Sequence, residues 1–188
     1  MVYKRQKKDK KLLSKFQSQY FDYKQQYNQL IEQFEADYPE YYHLKYDTES
    51  ITTQEVQQYL AQKQGAALIS YIVGTQQIYI FTLTKSSYEV YTISKPHDFP
   101  QIIERFRRAI NGMSRKQHIK WGSYLYELLL QPVLESSAFS STNIQQLILI
   151  PDAELNYIPF ETLLTEAVEP KTAFAELPYL LLNYEVSY

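Results

Sequence analysis

Enzymatic chemistry needs a nucleophile, a proton carrier or a set of metal ligands, and this chain has few side chains able to serve. It contains no cysteine, which removes disulfides, thiolate metal sites and a thiolate nucleophile at once. Its histidines are His43, His97 and His118. The first falls in an aromatic connector, the second just before a helical pattern and the third at the start of another. None is followed by glycine, and ordinary surface roles are expected for all three. Asp152, Glu154 and Glu161 lie in one short stretch and could meet as a carboxylate cluster for a metal ion or for acid–base work. The same residues have structural uses: Asp152 as an acceptor in a turn, Glu161 as an acid in the first turn of a helix. A phosphate loop, a Gly-x-Ser-x-Gly elbow and a His-Glu-x-x-His pair do not occur. No catalytic residue, cofactor-binding residue or metal ligand is therefore assigned, and no cofactor is expected.

The elements that must hold these residues follow from composition and periodicity. With 188 residues, 45% of them hydrophobic, and a net charge of -2, the chain suits one compact domain plus an extra helical element. It has no apolar run long enough for a membrane helix. Met1 leads into Lys4, Arg5, Lys7, Lys8, Lys10 and Lys11 with no apolar segment behind them, which argues against a secretory signal and makes the cytoplasm the default. This basic run could touch nucleic acid or a membrane surface. The chain as a whole is slightly acidic, however, and a solvated helix start explains the lysines equally well.

Along the chain, Phe16, Tyr20, Tyr23, Tyr27, Leu30 and Phe34 recur at alternating spacings of four and three, the seam of a long amphipathic helix. Its aromatic character favours packing on a neighbouring helix over a self-associating zipper. Pro39 ends the helix, and Tyr38 to Tyr46 forms an extended connector. Thr52 or Thr53 can cap a second helix over 54–63, with Gly65 after its end. The period then changes to two over 67–73, 78–83 and 88–93, with polar turns between, which predicts an antiparallel three-strand meander. Asp98 with Gln101 suggests a capping box for a helix over 100–111 that buries Ile102, Ile103, Phe106 and Ile110 and is closed by Gly112, with Arg105, Arg107 and Arg108 facing mostly outward. Residues 118–135 carry Trp121, Leu125, Leu128, Leu129 and Val133 on a helical period that Pro132 bends or ends. A polar loop is expected over 136–143. Leu147 to Ile150 reads as a strand buried on both faces, and Leu180 to Tyr188 as another strand.

Leu147-Ile-Leu-Ile-Pro-Asp-Ala-Glu-Leu-Asn-Tyr-Ile-Pro-Phe-Glu-Thr-Leu-Leu164 resembles the signature that opens the CHAT domain, a caspase-like module commonly attached to TPR repeats. Pro151, Asp152, Leu155, Pro159, Phe160, Glu161 and Leu163 match that signature, as do Tyr179, Leu180, Leu181, Ser187 and Tyr188. The strand pair at 68–74 and 78–81, the helix at 124–132 and the Tyr38 to Tyr42 connector are similar to what precedes it in the family. Ala153 departs from the pattern, which usually has glycine there, and this weakens any inference that the turn needs a positive φ. Local physics gives each matching residue a structural use. Pro151 stops a ladder, Asp152 accepts from amides ahead of it, Leu155 and Ile158 return to the core, and Pro159 starts a short helix with Glu161 near its positive end.

The resemblance implies an α/β fold: a caspase-like α/β sandwich fragment with an antiparallel three-strand meander, preceded by a long N-terminal helix. The expected organisation is a helical segment over 1–37, a connector over 38–53 and the front part of a CHAT domain over 54–188. In the family a histidine in a His-Gly motif raises the thiolate fraction of a cysteine in a Ser-Ala-Cys motif. Neither motif occurs here. The expected function is thus that of a non-catalytic front part, scaffolding the catalytic half of a TPR-linked cysteine peptidase. Its partners would be that C-terminal half, a TPR or helical region and other proteins, with self-association through an open sheet edge near Tyr184 to Tyr188. Nucleic acid and membranes are not expected partners. The alternative is a stand-alone protein-interaction module without proteolysis.

Overall fold

The structure, a computed structural model, describes residues 16, 19–20, 22–27, 29–34, 36–38, 51–140 and 143–188. The basic run from Lys4 to Lys11, the connector over 39–50 with His43, and the loop residues Ser141 and Thr142 lie outside the described residues. The chain divides into two compact units, residues 1–50 and 51–188. In the first, the described residues between 16 and 37 are helical, and the six side chains of the expected seam lie exposed along that helix. Tyr38 donates its N–H to the Phe34 carbonyl at 2.9 Å, with the two rings 5.9 Å apart.

The second unit opens with helix α1 (Thr53–Gln62). Thr52 caps it: its hydroxyl accepts from the Glu55 N–H, and the Glu55 carboxylate accepts from the Thr52 N–H at 2.7 Å. Three strands follow, β1 (Ala66–Val73), β2 (Gln77–Leu83) and β3 (Tyr88–Ser94). They pair as the antiparallel meander that the alternating pattern predicts. The turn between β2 and β3 is tied down by Gln57, whose amide donates to the carbonyls of Thr84 and Ser87.

Helix α2 (Phe99–Asn111) buries Ile102, Ile103 and Phe106 as expected, while Ile110 is only partly buried against the core. Its start differs from the expected capping box. Asp98 makes no cap bond and instead pairs with Arg105 at 3.2 Å, because its backbone, at ψ 29, is not in the extended form a capping residue needs. Its end also differs in detail. Gly112 keeps a negative φ, and the left-handed residue is Met113, at φ 50. The Met113 N–H bonds to the Ile110 carbonyl and the Ser114 N–H to the Ala109 carbonyl, a Schellman closure with methionine where glycine is usual.

The helix expected over 118–135 is three: α3 (Arg115–Leu129), α4 (Gln131–Leu134) and α5 (Ser137–Ser140). Pro132 cannot continue α3 and sits in the first turn of α4, and part of the expected polar loop is helical. Strand β4 (Gln146–Ile150) runs parallel to β1, and β5 (Glu185–Ser187) parallel to β4. The sheet order is β3-β2-β1-β4-β5. The fold is thus mixed α/β with a five-strand open sheet, as the α/β reading requires.

Residue alternation decides what each sheet face carries. Ala67, Ile69, Tyr71, Ile78, Ile80, Leu147 and Leu149 join the core formed with α2, α3 and the segment after β4. The opposite face is packed at one end by α1, where Leu60 meets Ala66 and Leu83. Away from α1, Ile72 and Ile150 remain about half exposed on that face. β4 is therefore buried on one face and not on both. The last run is shorter in strand than expected, because Leu180–Leu182 is a single 3-10 turn. The Leu180 N–H reaches back to the Leu163 carbonyl at 2.8 Å and the Tyr184 N–H closes on the Leu180 carbonyl, leaving only Glu185–Ser187 extended.

Candidate functional site at the carboxyl ends of the parallel strands

β1, β4 and β5 run in one direction, so their carboxyl ends meet on one edge of the unit. Crevices at such ends are where open α/β sheets place their ligands. Pro151 has no N–H and ends the β4 ladder. The segment 151–164 then crosses the strand ends, and Leu155, Ile158, Phe160 and Leu163 turn into the core.

Asp152 does not cap the turn that follows it. Its carboxylate accepts the N–H of Val73, the last residue of β1, at 2.8 Å. The β1–β4 register stops at Ser70 opposite Ile150, so this side chain continues the ladder where proline interrupts the backbone. The bond to Val73 aims the carboxylate back toward β1, and no bond to the local amides of the turn is made at Asp152.

Ala153 stands at φ 47. The turn does need the left-handed region, which corrects the expectation drawn from the missing glycine. The tight reversal from Asp152 into the 3-10 turn Ala153–Tyr157 sets that angle whichever residue occupies it. Pro159 precedes another single 3-10 turn, Phe160–Thr162, and is not its first residue. The Pro159 carbonyl accepts both the N–H and the hydroxyl of Thr162.

Glu161 does not act through a helix end in this short turn. Its carboxylate accepts the Tyr188 hydroxyl at 2.6 Å, and the same hydroxyl oxygen accepts the Phe160 N–H at 3.1 Å. Tyr188, just after β5, is thereby clipped to the segment after β4. Burial of its hydroxyl and the Glu161 acceptor hold the phenol well above its usual range, although the residue as a whole is 63% exposed. A phenol so held stays protonated at neutral pH and cannot act as a base. Beneath the clip, the Phe160 ring packs 5.6 Å from Tyr71, whose hydroxyl donates to the Leu129 carbonyl at 3.2 Å. Burial raises Tyr71 as well.

Around the clip is a cleft of about 690 Å³, walled among others by Arg107, Ile150, Asn156, Tyr157, Glu161 and Tyr188. Arg107 lies over the Tyr157 ring at 5.0 Å, a cation–π contact. The other arginines of α2 have partners of their own: Arg105 with Asp98, and Arg108 with Glu104 at 2.7 Å.

Among the described residues, no cluster of acids, histidines or cysteines could hold a metal ion, and Asp152 and Glu161 serve different donors. His97 is exposed. His118 corrects the surface expectation, being only 4% exposed. Its Nε2 lies 3.0 Å from the Thr162 carbonyl, and its ring meets Phe106 edge-on at 5.5 Å. Gly122, one turn on, lets α3 approach this closely, since a Cβ there would stand 3.3 Å from both His118 and Leu164. The positioning roles of Arg107 and His118 carried no sequence signal, because their partners lie 50 and 44 residues away.

An open, mixed α/β sheet whose parallel strands deliver a proline-ended turn to a cleft is consistent with a caspase-like α/β fragment. Residues 120–188 match the family model of the CHAT domain. The strand pair and connector upstream lie outside it. No curated protein matches the chain. These 188 residues contain no cysteine and so supply no thiolate nucleophile. Among the described residues no helix is long and apolar enough to cross a membrane.

Proposed function

We propose that residues 51–188 form the front, non-catalytic part of a cytoplasmic caspase-like cysteine peptidase module, scaffolding a catalytic half that supplies the histidine and the cysteine. The signature residues Pro151, Asp152, Leu155, Pro159, Phe160, Glu161 and Leu163 are structural in this reading. The carrying observation is the Glu161–Tyr188–Phe160 clip, which fixes the carboxyl end of β5 against the segment after β4. A strand end fixed in this way gives any chain that continues from it a defined point of departure beside the cleft. β5 pairs on one side with β4, and its other edge meets no strand among the described residues. That edge is the place for further strands, or for a second copy.

The helix of the first unit supports the finer part of the reading. Its exposed aromatic seam suits packing against neighbouring helices of a TPR-like region that senses a protein partner and couples it to the peptidase. The uncovered part of the sheet, with Ile72 and Ile150, also suits a protein-interaction module without proteolysis, and one experiment separates the two. The coding sequence is read in frame beyond Tyr188 and the whole reading frame is expressed with a cysteine-directed chloromethyl ketone probe. In-frame His-Gly and Ser-Ala-Cys strand ends, with labelling at that cysteine, are expected. A reading frame lacking both motifs would sink the peptidase reading.

A further inference from the structure

A second depression lies apart from the strand-end cleft. It has a volume of about 360 Å³ and is walled by Ile110 and Met113 from the corner between α2 and α3, by His118 and Thr162, and by Phe174, Tyr179 and Leu181. Apart from His118 and Thr162 the walls are aliphatic and aromatic, and the size falls in the range of small-molecule sites. The Phe174 and Tyr179 rings stand 5.9 and 5.7 Å from the His118 ring.

His118 sets the polar chemistry. A carbonyl can only accept, so Nε2, 3.0 Å from the Thr162 carbonyl, carries a proton, and the tautomer with that single ring proton leaves Nδ1 as an acceptor. The Cδ2 edge is turned toward Gly122, within 3.3 Å of where a Cβ would be. Nδ1 lies on the opposite edge of the ring, and His118 shares this depression with Ile110 and Met113 of the α2–α3 corner.

Met113 is the second observation. It holds a left-handed φ of 50, and the residue is 81% exposed. Glycine would close the corner with less strain, and an exposed thioether contributes no burial to folding. Backbone strain kept for the sake of an exposed apolar side chain suggests a use outside the fold, and methionine adapts well to apolar ligands.

We propose that this depression binds a small aromatic ligand carrying one hydrogen-bond donor, the ring held among Met113, Phe174, Tyr179 and Leu181 and the donor directed to Nδ1 of His118. The site is separate from the cleft, and its test needs no proteolysis, so it stands or falls independently of the peptidase reading.

Indole and its isostere indene, which lacks the N–H, are titrated into the full chain while the His118 ring resonances are followed by NMR. Indole is expected to move them saturably and to bind about tenfold more tightly than indene, the worth of one hydrogen bond. Met113→Gly is expected to weaken indole about five- to tenfold while leaving the chain as stable as before or more so. Leu181→Ala, at an exposed position on the opposite wall, should weaken it in the same direction. Absence of a saturable shift, equal affinity for indole and indene, or an unaltered affinity in both variants would overturn the proposal. Tighter binding of a Gly-Trp-Gly peptide than of indole would overturn the small-molecule assignment in favour of a partner's side chain.

Discussion

Replacing Asp152 by alanine removes the acceptor that takes the Val73 N–H at 2.8 Å and leaves nothing in its place. Val73 is half-buried, and the β4 backbone cannot substitute, because the β1–β4 register ends at Ser70 opposite Ile150. The cost has two parts: a hydrogen bond to a charged acceptor, and a donor left unpaired at the end of a central strand. Together these come to about 2 kcal/mol, which for a unit of this size lowers the unfolding midpoint by roughly 4–8 °C. Asp152→Asn keeps an oxygen acceptor and should recover about half of the loss. Urea denaturation followed by circular dichroism gives the energies, and amide exchange at Val73 gives the cause. In the alanine variant the Val73 amide should exchange faster, while amides of β2 and β3 shift only as global stability shifts. If Asp152→Ala unfolds within about 0.5 kcal/mol of the parent, a change no larger than a neutral surface substitution makes, with the Val73 amide unchanged, the reasoning that the side chain extends the ladder is wrong.

Three further outcomes follow from local geometry. Ala153→Gly relieves a φ of 47 at some cost in unfolded-state freedom, so a net gain of about 0.5–1 kcal/mol is expected in thermal melts. Gly65→Ala should lose about 2–3 kcal/mol in urea titrations. Gly65 sits at φ 67, a Cβ there would stand 2.6 Å from the Asn143 carbonyl oxygen, and its own carbonyl accepts the N–H groups that start β4. Tyr188 and Tyr71 both have raised phenol pKa values in the fold. The folded state therefore holds these protons more tightly than the unfolded chain, where a phenol titrates near 10. Their contribution is intact below about pH 10 and declines as pH rises beyond it. Tyr188→Phe should show a shallower alkaline decline in midpoint than the parent, at the cost of about 1 kcal/mol near neutrality, and an equally steep decline would contradict the assignment.

What the sequence disclosed and what it withheld divide along the range of the forces involved. The meander, the Thr52 cap, the buried face of α2 and the return of Leu155 and Ile158 to the core all follow from neighbours in sequence, and each stands where periodicity or a short motif put it. Local rules failed where a polar side chain had a better partner far away. Asp98 chose Arg105 over its own helix start, and Asp152 chose Val73, 79 residues back. His118 looked like a surface residue at a helix start because nothing nearby announces the Thr162 carbonyl. The CHAT signature was legible as a string, but its parts are held by bonds to β1, α3 and the residue after β5. Those distant partners suggest why such a string can persist without chemistry of its own. Pro151 frees the end of β1 for Asp152, Phe160 fills the space beside Tyr71, and Glu161 fixes Tyr188, so one short segment ties together the strand ends that border the cleft. A change at any of these positions would act first on the placement of those ends, and only through them on whatever reaction or binding the cleft supports.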